Sequence, residues 1–433
     1  MTELQVGLVG CLLLCVLLVS SMPVAFAMAI VGFAGFALVV TPGAALSLIT
    51  IDLYDTFSNY SLTVIPLFVL MGQVSFHAGI SRNLFQAAYH WLGPLPGGLA
   101  MATVGACTAF GAICGSGPAT AATMASVALP EMRRYRYQPE FGCGTVAAGG
   151  SLAMLIPPSI VFIVYAILTE QSIGKLFISG IVPGLMIAVL FCLTIYWMCR
   201  RDPELGPAGP PTSWADKWRS LGGVSDTVLL FALVMGGMFL GVFTPTEAAA
   251  IGAAGSLAIA GYRGRLTWKM LHQSLLETVR TSCMVMVIVA GAIIFGHFLG
   301  VSGLPAALAR WLAGLPLPAA CIMGLMVLFY LVAGCFVDAL ALVFLTVPIF
   351  YPVVLELGYH PIWFGVMIVV VTQMGVITPP VGVNVYVVSG IARDVPLQGV
   401  FKGALPFLWA LVVAVSLMIL FPGMVLFLPG LLD

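Results

Sequence analysis

Apolar runs, each punctuated by Gly, Pro or a charge, follow one another along this chain. They predict helical segments near 4–21, 24–42, 61–77, 97–113, 118–130, 139–168, 176–199, 225–243, 246–262, 281–299, 317–335, 339–351, 361–390 and 404–429. Helices this apolar on all sides are buried in lipid or in a large core. Several are too short to cross about 30 Å of hydrocarbon at about 1.5 Å per residue. The pairs 97–113/118–130 and 317–335/339–351 are therefore expected to be re-entrant hairpins, entering and leaving on one face. Their tips read CGSGPAT (114–120) and CFVDALA (335–341).

Two runs carry adjacent prolines at their centres. Pro157-Pro158 interrupts 139–168, and Pro379-Pro380 interrupts 361–390. A proline pair removes two backbone donors and blocks the helix ahead of it. In hydrocarbon each unpaired backbone group costs several kcal/mol, so broken backbone persists only where it lines a protein or water cavity.

The second break echoes the first. MGVITPPVGVNVY (374–386) resembles AMLIPPSIVFIVY (153–165), and a constant offset carries Pro130 onto Pro352, Tyr137 onto Tyr359 and Pro139 onto Pro361. HWLG (90–93) and RWLA (310–313) match with a small slip. The loop after the first hairpin, PEMRRYRYQP, holds three arginines, and its partner PVVLELGYHP holds none. Charge bias thus places the copies on opposite faces. Inverted-topology repeats of this kind characterise secondary transporters, whose broken helices meet near the midplane and offer carbonyls to cations and helix N-termini to anions. The fold expected is an all-α polytopic membrane protein with inverted repeats, two re-entrant hairpins and two discontinuous helices.

Composition agrees. Of 433 residues, 61% are hydrophobic and 7% charged, where soluble domains carry about 25% charge. Net charge is zero, with no basic tract for nucleic acid. Every Lys and Arg except Lys175 and Arg310 falls on one side of this topology, which the positive-inside rule makes cytoplasmic. Both termini are then periplasmic. MTELQVGLVGCLLLCVLLVSSM lacks a basic leader region and reads as a retained first helix, with an uncleaved signal anchor as the alternative.

The chain divides into N-terminal scaffold helices (1–77), a first repeat (78–199) and a Pro/Gly-rich cytoplasmic linker (200–224). Further scaffold helices with an amphipathic arm (225–299) precede the second repeat (300–433). The arm, RLTWKMLHQSLLETVR (265–280), is expected along the membrane surface.

Ten cysteines lack C-x-x-C spacing and read as buried reduced thiols. No H-E-x-x-H, G-x-S-x-G or Walker A run is present, which argues against an enzyme. Glu247 in TPTEAAA reads as a partner of its own helix N-terminus or as a subunit contact.

An ordered set of strings, IPLFVLMGQV (65–74), GPLPGGLA (93–100), GAICGSGPATAATMASVALPEM (111–132), LIPPSIVFIVYAI (155–167), GVFTPTEAAA (241–250), LALVFLTVPIFYPV (340–353) and GVITPPVGVNVYV (375–387), resembles the large membrane subunit of tripartite ATP-independent periplasmic (TRAP) transporters. The resemblance implies sodium-driven uptake of an organic acid, a carboxylate or sialic-acid-like anion, across a bacterial or archaeal inner membrane. It implies two partners, a periplasmic substrate-binding protein and a small four-helix membrane subunit, the latter expected as a separate chain. It also implies an elevator, with hairpins and broken helices sliding against a scaffold. One departure is Gln373, where the family often has an acid.

Two sodium sites are expected, with no other cofactor. One joins Gly115, Ser116 and Gly117 to Gly149, Gly150, Ser151 and Pro157. The other joins Gly334 and Asp338 to Thr372, Gly375, Thr378 and Pro379. Small residues let backbone approach an ion and hydroxyls add oxygens; packing is the competing role for each. Asp338 is a costly acid at membrane depth, with helix capping as its alternative role. No Lys or Arg lies at the breaks, so substrate contacts fall to Ser116, Ser159, Thr378 and Asn384. Rival readings are a carboxylate carrier that needs no binding protein, and a non-transporting membrane enzyme or scaffold.

Overall fold

The computed structural model describes residues 2–20, 22–314 and 316–431. Among them the regular elements are all helical. Gly98–Cys114 and Gly117–Arg134 form hairpin 1, and Ala319–Gly334 and Ala339–Glu356 form hairpin 2. Each hairpin is followed by a broken helix: Pro139–Ser151 then Ile160–Thr169, and Pro361–Gly375 then Val383–Ile391. Both Pro–Pro bonds at the breaks are cis.

Local chemistry explains the stops and starts. Pro139 and Pro361 open their helices at the first turn, where a missing N–H costs nothing. Ser159 restarts the first broken helix, its Oγ accepting from Phe162 N at 3.4 Å. Gly382, at φ +56°, restarts the second in a left-handed conformation that suits glycine.

Hydrogen bonds fix the inverted topology. At one end, Tyr137 Oη accepts from Leu99 N (3.1 Å) and donates to Pro207 O (3.0 Å), joining the base of hairpin 1 to the linker. The Arg133–Asp394 ion pair brings the end of the second broken helix to the same place. At the other end, Tyr165 Oη donates to Pro361 O (2.7 Å), and Gln171 Nε2 donates to Tyr351 Oη (3.3 Å) at the foot of hairpin 2. The helix Ile173–Arg201 starts beside this second group, and Ile195 and Cys199 near its finish pack against Gly97 of the first. Its 29 residues span roughly 43 Å. Hairpin 1 therefore rises from one end of the molecule and hairpin 2 from the other, with Arg134 and His360 at opposite ends.

The repeats interlock. Val383–Ile391 packs against hairpin 1 and Pro139–Ser151, and Ile160–Thr169 packs reciprocally against hairpin 2 and Pro361–Gly375. Around them lie Glu3–Val19, Val24–Val39, Val64–His77, Pro245–Tyr262 and Trp268–Ser302. The last runs against Val24–Val39 so closely that a β-carbon on Gly32 would stand 2.8 Å from the Phe295 backbone.

Four expectations change. The arm 265–280 does not turn aside: it continues into 281–299 as one 35-residue helix, because no proline between Trp268 and Ser302 breaks the ladder. Pro42–Ser58 and Ile80–Leu92 are additional helices, too mixed in polarity to register as apolar runs. The linker holds a helix, Trp214–Leu221, capped by Ser213. All ten cysteines are free, yet Cys15, Cys283 and Cys321 face outward. Glu247 lies as read, in a capping box with Thr244, whose N–H it accepts at 2.8 Å.

Candidate functional site

The tip of hairpin 1 closes directly on the first break. Gly115 has φ +63°, and a β-carbon there would meet Pro158 O at 2.4 Å. Gly117 lies over Met154 and Gly150 O, while Gly150 presses on the Ala121 backbone. Gly149 faces Cys107 and Gly111 faces Ala153. From the helix Val64–His77, Gly72 meets the Cys114 Cα. Gly115, Ser116, Gly117, Gly149, Gly150 and Pro157 thus converge on one region.

Hairpin 2 repeats the arrangement. Gly334 and Gly375 are in backbone contact, with Thr372 alongside, and Val381 N donates to Cys335 O at 3.1 Å across the tip. The Gly334–Gly375 contact corresponds to Gly111–Ala153 in the first repeat, under nearly the same offset that aligns the prolines. Glycine recurs because only small residues let two helix backbones cross at this separation.

The hydroxyls are engaged locally. Ser159 Oγ donates to Met154 O (2.5 Å) and Thr378 Oγ1 to Met374 O (2.6 Å), each covering a carbonyl beside a proline break. Ser151 and Thr372 donate one turn back, to Ala148 O and Val369 O. Each of these hydroxyls therefore spends its proton within its own segment. Ser116 is half-buried at the start of Gly117–Arg134 and makes no capping bond.

Asp338 caps Ala339–Glu356, accepting from Leu340 N at 3.1 Å. It lines a cavity with Val24, Phe26, Cys283, Met284 and Val287 of the scaffold, so the tip of hairpin 2 faces the long helix. Asn384 is fully buried and ties the repeats together: its Nδ2 donates to Ala147 O (3.1 Å) and its N–H to Val376 O (3.1 Å). Its Oδ1 has no hydrogen-bond partner among the described residues.

Gln373, the departure from the family pattern noted above, stands out in the structure. It is fully buried, and among the described residues neither its Oε1 nor its Nε2 has a hydrogen-bond partner. Buried amides are rarely left so. Its position before TPP was visible in the sequence; its isolation was not.

The breaks differ in exposure. The whole stretch 151–160 is buried, whereas Pro379, Pro380 and Val381 are exposed.

Paired hairpins closing on paired broken helices from opposite ends define a polytopic membrane protein of the inverted-repeat carrier class. The chain belongs to the family described as "Tripartite ATP-independent periplasmic transporter, DctM component", whose profile matches residues 11–424. It is 38% identical over 394 residues to the C4-dicarboxylate TRAP transporter large permease protein DctM of Pseudomonas aeruginosa, covering 91% of each chain. It is 32% identical over 419 residues to the sialic acid TRAP transporter large permease protein SiaM of Vibrio cholerae, covering 96% of each. The YdaH transporter of Alcanivorax borkumensis shares the fold, with TM-score 0.62 at 15% identity, over 88% of this chain and 89% of that one. The chain is thus a multi-pass large permease subunit of a tripartite transporter.

Proposed function

We propose that this permease carries a small organic acid inward together with sodium, by sliding its hairpins and broken helices against the scaffold. The carrying observation is the closure of each hairpin tip on its own broken helix from opposite ends of the molecule. That geometry brings carbonyls and hydroxyls of the breaks close to tips that carry Gly115, Ser116 and Gly117 in one repeat and Gly334 and Asp338 in the other, a set of oxygens suited to a hard monovalent cation. The relatives named for C4-dicarboxylate and sialic acid support a carboxylate as cargo.

The energetics favour coupling to a cation. One charge crossing 100 mV is worth about 2.3 kcal/mol. Two or more sodium ions entering with a monoanion add this electrical work to the chemical gradient. The end carrying Arg133, Arg134, Arg136, Arg200 and Arg201 is cytoplasmic on this reading. The tip of hairpin 2, entering from the periplasmic end, reaches the level of Cys283 and Met284, within one turn of Arg280. An inward-facing position explains both this depth and the exposed second break.

A small membrane subunit and a periplasmic binding protein complete the system. Reconstitution of the permease in proteoliposomes tests the reading. Uptake is expected to require both partners and an inward sodium gradient. Uptake of free substrate without a binding protein, or uptake indifferent to sodium, sinks it.

A further inference from the structure

A cavity of about 530 Å3 lies away from the breaks, between the amphipathic helix Ile80–Leu92 and hairpin 1. Arg82, Gln86 and Tyr89 form one wall; Ser126, Pro130 and Glu131 form another. Tyr89 buries its hydroxyl, which among the described residues makes no hydrogen bond of normal geometry, and its ring lies 5.8 Å from the Tyr135 ring, centre to centre. Pro130 has no N–H, so Ser126 O loses its usual helical donor. Among the described residues Arg82 makes no ion pair, and Glu131 has only the exposed Arg134, at 3.9 Å. The pocket therefore offers a cation and a hydroxyl donor on one side, and a carboxylate and a spare carbonyl on the other.

Its depth is marked by aromatic residues. Trp91 Nε1 donates to Lys217 O at 3.2 Å, and the Trp91 ring meets Trp214 and Trp218 edge to face at 6.3 and 5.9 Å. Trp214 and Trp218 are exposed, with Lys217 Nζ 4.7 Å from the Trp214 ring centre. Exposed Trp and Lys gather at the membrane–water interface, at headgroup level.

We propose that this cavity binds the headgroup of a zwitterionic phospholipid of the phosphatidylethanolamine type. The phosphate is held by Arg82 and Tyr89 Oη, and the ammonium by Glu131 and Ser126 O. Because the two walls come from separate helices, the bound headgroup clamps hairpin 1 to the helix that leads into it. The assignment does not depend on which solute the permease carries.

The test is native mass spectrometry of the delipidated full-length chain titrated with dioleoyl phosphatidylethanolamine or dioleoyl phosphatidylglycerol, with thermal melts to confirm folding. One phosphatidylethanolamine is expected to bind at least tenfold tighter than phosphatidylglycerol. Glu131→Gln should abolish that preference without weakening phosphatidylglycerol, and Arg82→Ala should weaken both lipids. Equal binding of the two lipids to the unaltered chain overturns the proposal. So does phosphatidylethanolamine binding that neither substitution changes. Soluble phosphoethanolamine binding as tightly as the lipid would also overturn it, reassigning the cavity to a water-soluble ligand.

Discussion

A β-carbon on Gly375 would stand 2.4 Å from the carbonyl carbon of Gly334, whereas one on Gly334 would meet nothing closer than the Gly375 Cα, at 3.4 Å. The same crossing is therefore intolerant from one side and tolerant from the other. Gly375→Ala is expected to pry hairpin 2 off its broken helix, at a cost of about 1–3 kcal/mol, and to cut uptake at least tenfold. Gly334→Ala is expected to retain uptake within about twofold. Proteoliposome uptake and thermal melts of the two variants check this asymmetry; equal effects contradict it.

Asp338 separates two roles by chemistry. As an N-cap it is worth about 1 kcal/mol, and Asn caps as well as Asp. Asp338→Asn is expected to melt like the parent yet shift the sodium dependence of uptake to higher concentration. Asp338→Ala is expected to lose both stability and sodium affinity. If the sodium curve of Asp338→Asn overlays the parent curve, the carboxylate is a cap alone. Ser116→Ala, which removes no capping bond, is likewise expected to weaken sodium dependence without lowering the melting temperature.

Gln373 holds a fully buried amide with no hydrogen-bond partner among the described residues. Leaving such groups unsatisfied costs about 1–3 kcal/mol. Gln373→Leu, close in volume, is expected to raise the melting temperature while lowering transport at least tenfold. A stabilised variant with unchanged uptake would show that the amide has no part in transport.

Asp338 and Cys283 line one cavity, on the hairpin tip and on the long scaffold helix. With the other cysteines removed, Ala341→Cys, on the same cavity wall as Asp338, is expected to cross-link to Cys283 through a short bifunctional thiol reagent that reduction can cleave. Uptake should stop on linkage and return on cleavage. Undiminished uptake by the linked protein would exclude sliding of hairpin 2 past this helix.

Cysteines substituted at Arg134 and His360 test the orientation. A membrane-impermeant thiol reagent added to intact cells should label the His360→Cys variant and spare the Arg134→Cys variant. Labelling of both from one side refutes the antisymmetry.

The sequence by itself determined what one-dimensional rules govern. Hydrophobic runs fixed the membrane class, because charge at 7% cannot cover a soluble surface. Proline pairs fixed the breaks, because a missing N–H acts locally. The arginine asymmetry between PEMRRYRYQP and PVVLELGYHP foretold the opposite ends at which Arg134 and His360 lie. Tertiary structure alone decided which atoms meet. It set Gly115 on Pro158 O, joined Asn384 to Ala147 across 237 residues of sequence, turned Asp338 toward Cys283 and left Gln373 unpaired. It also merged the arm with its span and opened the cavity beside Arg82. Contacts between distant segments depend on how helices pack, and packing is settled by shape complementarity across the whole core, which no local pattern encodes.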